Sequence, residues 1–335
     1  KYSVAIGSSA LETQNFTTAT DAYNTAVGFS AGKAVTTGLR NTYLGGLAGD
    51  AQTDADDNVA IGYNALSGDT VGSRSVAIGK GALNIQNPAT AANMQNVAVG
   101  YHAGTSVTTG VQNVLLGANA GDAINTANYN VAVGDSALSG DTKGDRSVAV
   151  GYFSLYTQNF TTATEAYNTA VGFASGQLIT TGQYNTLIGG LAGDALTDAD
   201  RNVAVGYSAL GSDTQGSRST AIGFSALGGQ NNTTAANSYN VAVSTGQQNT
   251  LIGSTAGDAI TTGNYNVCLG WAAGTHGINL ETGNQNIVIG AFADTSTTMA
   301  QGAVVIGYDV TGTEGFTTLG NSTSDIRASH GTATW

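Results

Sequence analysis

Short apolar pentads, set in a polar and glycine-rich text, recur along the whole chain. Asn58-Val59-Ala60-Ile61-Gly62 is representative, and versions of it start at residues 3, 24, 41, 58, 75, 96, 113, 130, 147, 168, 185, 202, 219 and 240. Each pentad predicts a strand, because β-branched residues take alternate positions, a glycine closes the run and turn residues follow. The period-two rule sends Val59 and Ile61 to one face and Ala60 with Gly62 to the other, so both faces are apolar. A strand apolar on both sides is covered on both sides. No stretch of helical periodicity is present to do the covering. The expectation is that stacked Val, Ile and Leu fill the inside of a coil, while Ala and Gly make a flat outer surface that packs on another copy of the chain.

Successive pentads are separated by 21, 17, 17 and 17 residues, so a 72-residue block restarts at Ser3, Ser75, Ser147 and Ser219. A fixed step of this size marks a solenoid, in which each repeat is one turn that must stack on its neighbours. The expected fold is therefore all-β: a parallel β-solenoid or β-roll of stacked 17-residue coils, assembled as a homotrimer. The recurring Asn predicts a left-handed turn residue stacked into an amide ladder. The closing Gly predicts a bend or a close backbone approach. Regular repeats cover 1–243, irregular coils 244–310 and a C-terminal segment 311–335. The boundary is set at Ser244, which stands where Gly is expected; the next pentad starts at Asn249, after 9 residues instead of 17.

Composition narrows the partners. Only 10% of the residues are charged, with Lys+Arg 10 against Asp+Glu 22 and a net charge of −12. There is no basic run, so neither nucleic acid nor an anionic membrane surface is an expected partner. No apolar run is long enough to cross a membrane as a helix. The lone Cys268 rules out a disulfide framework within the chain and reads as a small buried apolar residue. The chain opens at Lys1 in mid-pattern, as expected of part of something longer.

Candidate chemistry is sparse. His102, His276 and His330 lie in unrelated repeats without a nucleophile spacing, so no enzymatic activity is expected. Asp50, Asp54 and Asp56 recur as Asp194, Asp198 and Asp200 in glycine-flanked turns, and these hard oxygen donors are the candidate calcium ligands; no other cofactor is implied. The longer loops at 12–23 and 156–167 carry nearly the same text, with Phe16, Tyr23, Phe160 and Tyr167 among Thr, Asn and Gln. Aromatic rings beside amides and hydroxyls suit a sugar or a protein epitope, so these four and Trp271 are the receptor-binding candidates.

The unit Ser-Val-Ala-Ile-Gly-x-x-Ala resembles the head repeats of trimeric autotransporter adhesins, which are left-handed parallel β-rolls that assemble as trimers. It resembles equally the shaft repeats of bacteriophage tail fibres and tailspikes. The likeness runs from Ser3 to about Tyr308. Phe316-Thr317-Thr318-Leu319-Gly320-Asn321-Ser322-Thr323, followed by Ile326-Arg327, resembles the segment preceding an endosialidase-type intramolecular chaperone in many phage fibres. Ser324-Asp325-Ile326-Arg327 matches that chaperone's opening in part and lacks its Lys. This resemblance implies a self-associating structural and receptor-binding module in the virion, namely a tail fibre contacting a bacterial surface glycan or protein beside other fibre or baseplate proteins. It leaves two alternatives: the head of a trimeric adhesin on a bacterial cell surface, or a glycan-degrading tailspike that works with paired carboxylates.

Overall fold

The computed structural model describes residues 1–229, 249–253 and 255–330. Among these there is no helix, and every element is a short strand. The chain divides into two compact units, Lys1–Tyr167 and Asn168–Trp335.

Each unit is a parallel β-solenoid. In the first, three-residue strands from Val4–Ile6 to Val148–Val150 form one ladder in which like positions pair, as in Val59↔Val76, Ala60↔Ala77 and Ile61↔Ile78. Two minor sheets, Gly72–Ser73 with Ala92–Asn93 and Gly144–Asp145 with Thr164–Glu165, tie the 21-residue loops to the preceding coil. The second unit continues the scheme from Thr169–Val171 to Val304–Tyr308. Its last parallel strand, Phe316–Asn321, turns back into an antiparallel hairpin with Ser324–Ser329. The pentad at Asn240 and the break at Ser244 lie outside the described residues. Within the described residues, Ile222 pairs directly with Ile252, so the Thr250–Ile252 strand takes the place beside Thr220–Ile222.

The expected facing of the strands is reversed. The middle residue of each pentad points inward: Ala26, Ala60, Ala77 and Ala98 in the first unit, and Ala170, Ala204 and Ala221 in the second, are fully buried. Val59 and Ile61 point outward and are only half-buried, while Leu44, Val99, Ile188 and Ile222 are exposed. The cause is the narrow bore of a 17-residue coil. Its cross-section holds one methyl opposite one large side chain, here Leu66, Leu83, Leu138 or Leu155, all fully buried.

That volume rule accounts for the 72-residue block. Where the inward strand residue is large, as at Tyr43 or Leu115, the opposing Leu is replaced by Gly in that coil and the one before. A Cβ on Gly32 would lie 2.6 Å from the Tyr43 ring, and one on Gly121 would lie 2.7 Å from Leu115 Cδ2. A block thus comprises two Ala/Leu coils, one Ala/Gly coil and one large/Gly coil. The pentad-closing Gly meets its expectation: Gly45, at φ 138°, would place a Cβ 2.7 Å from the Gly62 carbonyl oxygen of the next coil.

The Asn ladder exists, but not as turn residues. Asn24, Asn41 and Asn58 are fully buried. Each Nδ2 donates across its own coil, to the carbonyls of Gly38 (2.7 Å), Ala55 (2.7 Å) and Gly72 (2.8 Å). Each Oδ1 accepts the backbone N–H one coil further on, from Asn41 (2.9 Å), Asn58 (2.8 Å) and Ser75 (2.8 Å). The left-handed position belongs to the residue before: Tyr23, Arg40, Asp57 and Arg74 have φ of 52°, 57°, 60° and 64°. One turn residue must point out and the next must satisfy the interior, so the amide takes the inner place. Where Ser75 interrupts the ladder, Gln86 substitutes, donating to Asp69 (2.7 Å) and accepting from Asn96 Nδ2 (2.8 Å).

Candidate functional site

With Ala inside, the larger apolar residues of the pentads become surface. Among the described residues, apart from Ile85, Tyr156, Leu178, Ile278, Met299 and Ile326, every exposed large apolar side chain sits at one of four positions: before the Asn position, at either outward strand position, or after the closing Gly. In the first unit these include Tyr23, Val99, Tyr101 and Tyr152; in the second, Ile188, Tyr207, Phe224 and Trp271. Each unit therefore carries an aliphatic ladder edged by aromatic rings. The column before the Asn position holds both rings and charges. Arg146 lies over Tyr129 (5.2 Å) and Tyr167 (5.5 Å) and pairs with Glu165, and Arg201 lies over Tyr184 (5.1 Å). Arg40 meets Asp57 at 2.6 Å, and that hydrogen bond holds the Asp57 carboxyl below its usual range.

The receptor-binding candidates part company. Phe160 is buried, only 4% exposed. Its ring lies over Gly144, its N–H reaches toward Asp141 Oδ1 (3.4 Å), and its carbonyl accepts from Thr142 Oγ1 (2.9 Å). Phe16, in nearly the same text, is half-buried. Phe160 is seated by residues one coil earlier. Tyr23 is exposed and stacks on Tyr2 at 5.4 Å, while Tyr167 is exposed beneath Arg146.

Trp271, 57% exposed, belongs to a cluster that pentad spacing does not reveal. Its ring lies 4.5 Å from Phe292, which in turn lies 4.3 Å from His276 and 5.9 Å from Tyr308. His276 Nε2 stands 3.8 Å from Asp309 Oδ1. Asp309 also lines a cleft of about 350 Å³ with Thr311, Asn321, Thr323, Asp325 and Arg327. The sequence signal was the step of 20 residues from Asn266 to Asn286, which lengthens one coil by Gly277-Ile278-Asn279 and brings His276 toward the next coil.

The calcium candidates do not converge. Asp56 Oδ1 accepts the Leu39 N–H and Asp200 Oδ1 the Gln183 N–H, each at 2.8 Å and one coil back. Asp54 and Asp198 accept from the neighbouring Thr53 and Thr197 hydroxyls. Asp50 and Asp194 each keep one shielded oxygen without a partner, and burial pushes both carboxyls up. Among the described residues, no three His, Cys, Asp or Glu side chains form a metal cage. Cys268 occupies an inward strand position, and burial pushes its thiol far up, which makes it a packing residue. His102 stacks on Tyr101, and His330 sits 3.1 Å from Thr317 Oγ1. Comparison with the models of protein families, with curated proteins and with solved structures finds no match.

Proposed function

We propose that this chain is a structural and adhesive fibre module, self-associated through the outward Val/Ile ladder, and that it serves in a phage tail fibre contacting a bacterial surface. The observation that carries the reading is the aliphatic ladder of outward strand residues on each unit, with Leu44 and Val99 in the first and Ile188 and Ile222 in the second exposed. Contiguous apolar surface of this kind marks an interface. The occupant that fits it is the same chain, because a ladder of equal steps meets an equal ladder at every coil, and cyclic closure buries all copies alike. Three copies are what the likeness to β-rolls implies. The repeating coil supplies reach, and the departures from the repeat supply contact.

Sedimentation equilibrium of the whole chain tests the assembly. Three times the 33.4 kDa chain mass is expected, and a monomer at micromolar concentration overturns it. Binding of the labelled protein to a panel of bacteria tests adhesion. Release of new reducing ends from capsular polysaccharide would move the assignment to a glycan-degrading tailspike.

A further inference from the structure

Resting on the adhesive half of that reading, we infer that the Trp271 cluster and the cleft beside it form a binding site for an uncharged oligosaccharide. Two independent features meet there. The first is a ring platform: Trp271, Phe292 and Tyr308 come together from three successive coils, with Trp271 and Tyr308 more than half exposed. Exposed ring faces of this kind stack on the C–H face of a pyranose, and they leave its hydroxyls pointing sideways. The second is the polar cleft, which begins where the platform ends. Asp309 belongs to both, facing His276 on the ring side and lining the cleft on the other.

At about 350 Å³ the cleft lies at the lower end of the roughly 300–1,000 Å³ range of small-molecule sites, room for one or two sugar units beyond the stacked one. Its lining is hydroxyl, amide and charge, the partners that sugar hydroxyls require. The charge balance selects the ligand class. Arg327 is engaged by Asp325 at 2.6 Å, so its cation is already matched, and Asp309 leaves the cleft acidic. Uronic or sialic acid chains would be repelled, whereas neutral hexose or N-acetylhexosamine chains would not. The location also suits a ligand in the assembled protein. Phe292 and Asp309 are left-handed residues (φ 61° and 50°) two places past the closing Gly, and His276 lies further along its coil, so the site reaches away from the aliphatic ladder.

Isothermal titration calorimetry of the whole chain tests this, using maltohexaose and hexameric β-1,4-linked N-acetylglucosamine as neutral probes and hexagalacturonate as the anionic one. Saturable binding of a neutral probe at about 1 mM or tighter is expected. It should weaken at least ten-fold in Trp271→Ala and in the near-isosteric Asp309→Asn, with unchanged circular dichroism. No binding of either neutral probe at 10 mM, equal binding in both variants, or equal affinity for the anionic probe would each overturn the site. Whole-cell binding run alongside separates the two ideas. Undiminished cell binding by both variants leaves adhesion standing and removes this site. Glycan binding without cell binding keeps the site and removes the adhesive role.

Discussion

Asp69 offers the sharpest test of how the interior is built. Its side chain is fully buried and is held by neutral donors, the Gly72 N–H at 2.7 Å and the Gln86 amide at 2.7 Å, together with the Val71 N–H and the Gln52 amide. Burial outweighs those bonds and pushes its carboxyl up from an ordinary 3.8 to about 6. The folded state therefore holds a proton that the unfolded chain has already released. Stability from this group is fully present below about pH 4, declines as pH rises, and levels off above about pH 6. Two pH units at about 1.4 kcal/mol each come to about 3 kcal/mol. Asp69→Asn keeps an oxygen for Gly72 and cannot ionise. Urea denaturation of both proteins, followed by circular dichroism at pH 4 to 8, gives the difference in their unfolding free energies. That difference should move in favour of the variant by about 3 kcal/mol between pH 4 and 7, while groups common to both, such as the Arg40–Asp57 pair, cancel. A flat difference, or one moving in favour of Asp69 as pH rises, would refute the account: the carboxylate would then be charged and welcome inside the coil.

Asn58→Ala should leave the buried Ser75 N–H unpaired and the Gly72 carbonyl with only the longer Gln52 bond (3.4 Å), and cost about 1–3 kcal/mol by the same denaturation assay. Phe160→Ala should cost about 3–5 kcal/mol in the same assay; a loss under about 1 kcal/mol would contradict the seating described above. Ile61→Lys should dissociate the assembly in sedimentation while leaving the circular dichroism of the coils intact, since the residue faces outward.

The spacing of the pentads alone determined the parallel stack, its register and the glycine contacts. Every coil repeats the same backbone bonds, so a period of 17 can only place like on like, and Gly is required wherever successive backbones nearly touch. Facing was a different matter. A strand apolar on both sides satisfies either orientation, and only the narrow cross-section decided that Ala60 goes in and Val59 and Ile61 go out. The same closure drew Asn58 inside and passed the left-handed turn to Asp57. A neighbour likewise decided the fate of Phe160, because its seat at Asp141 and Gly144 lies in the coil beside it, which local text does not contain. The Trp271 cluster follows the same rule. Its members lie up to 38 residues apart, from Trp271 to Asp309, and meet because the strands of their three coils pair like on like, as in Val267↔Ile287 and Ile287↔Val304.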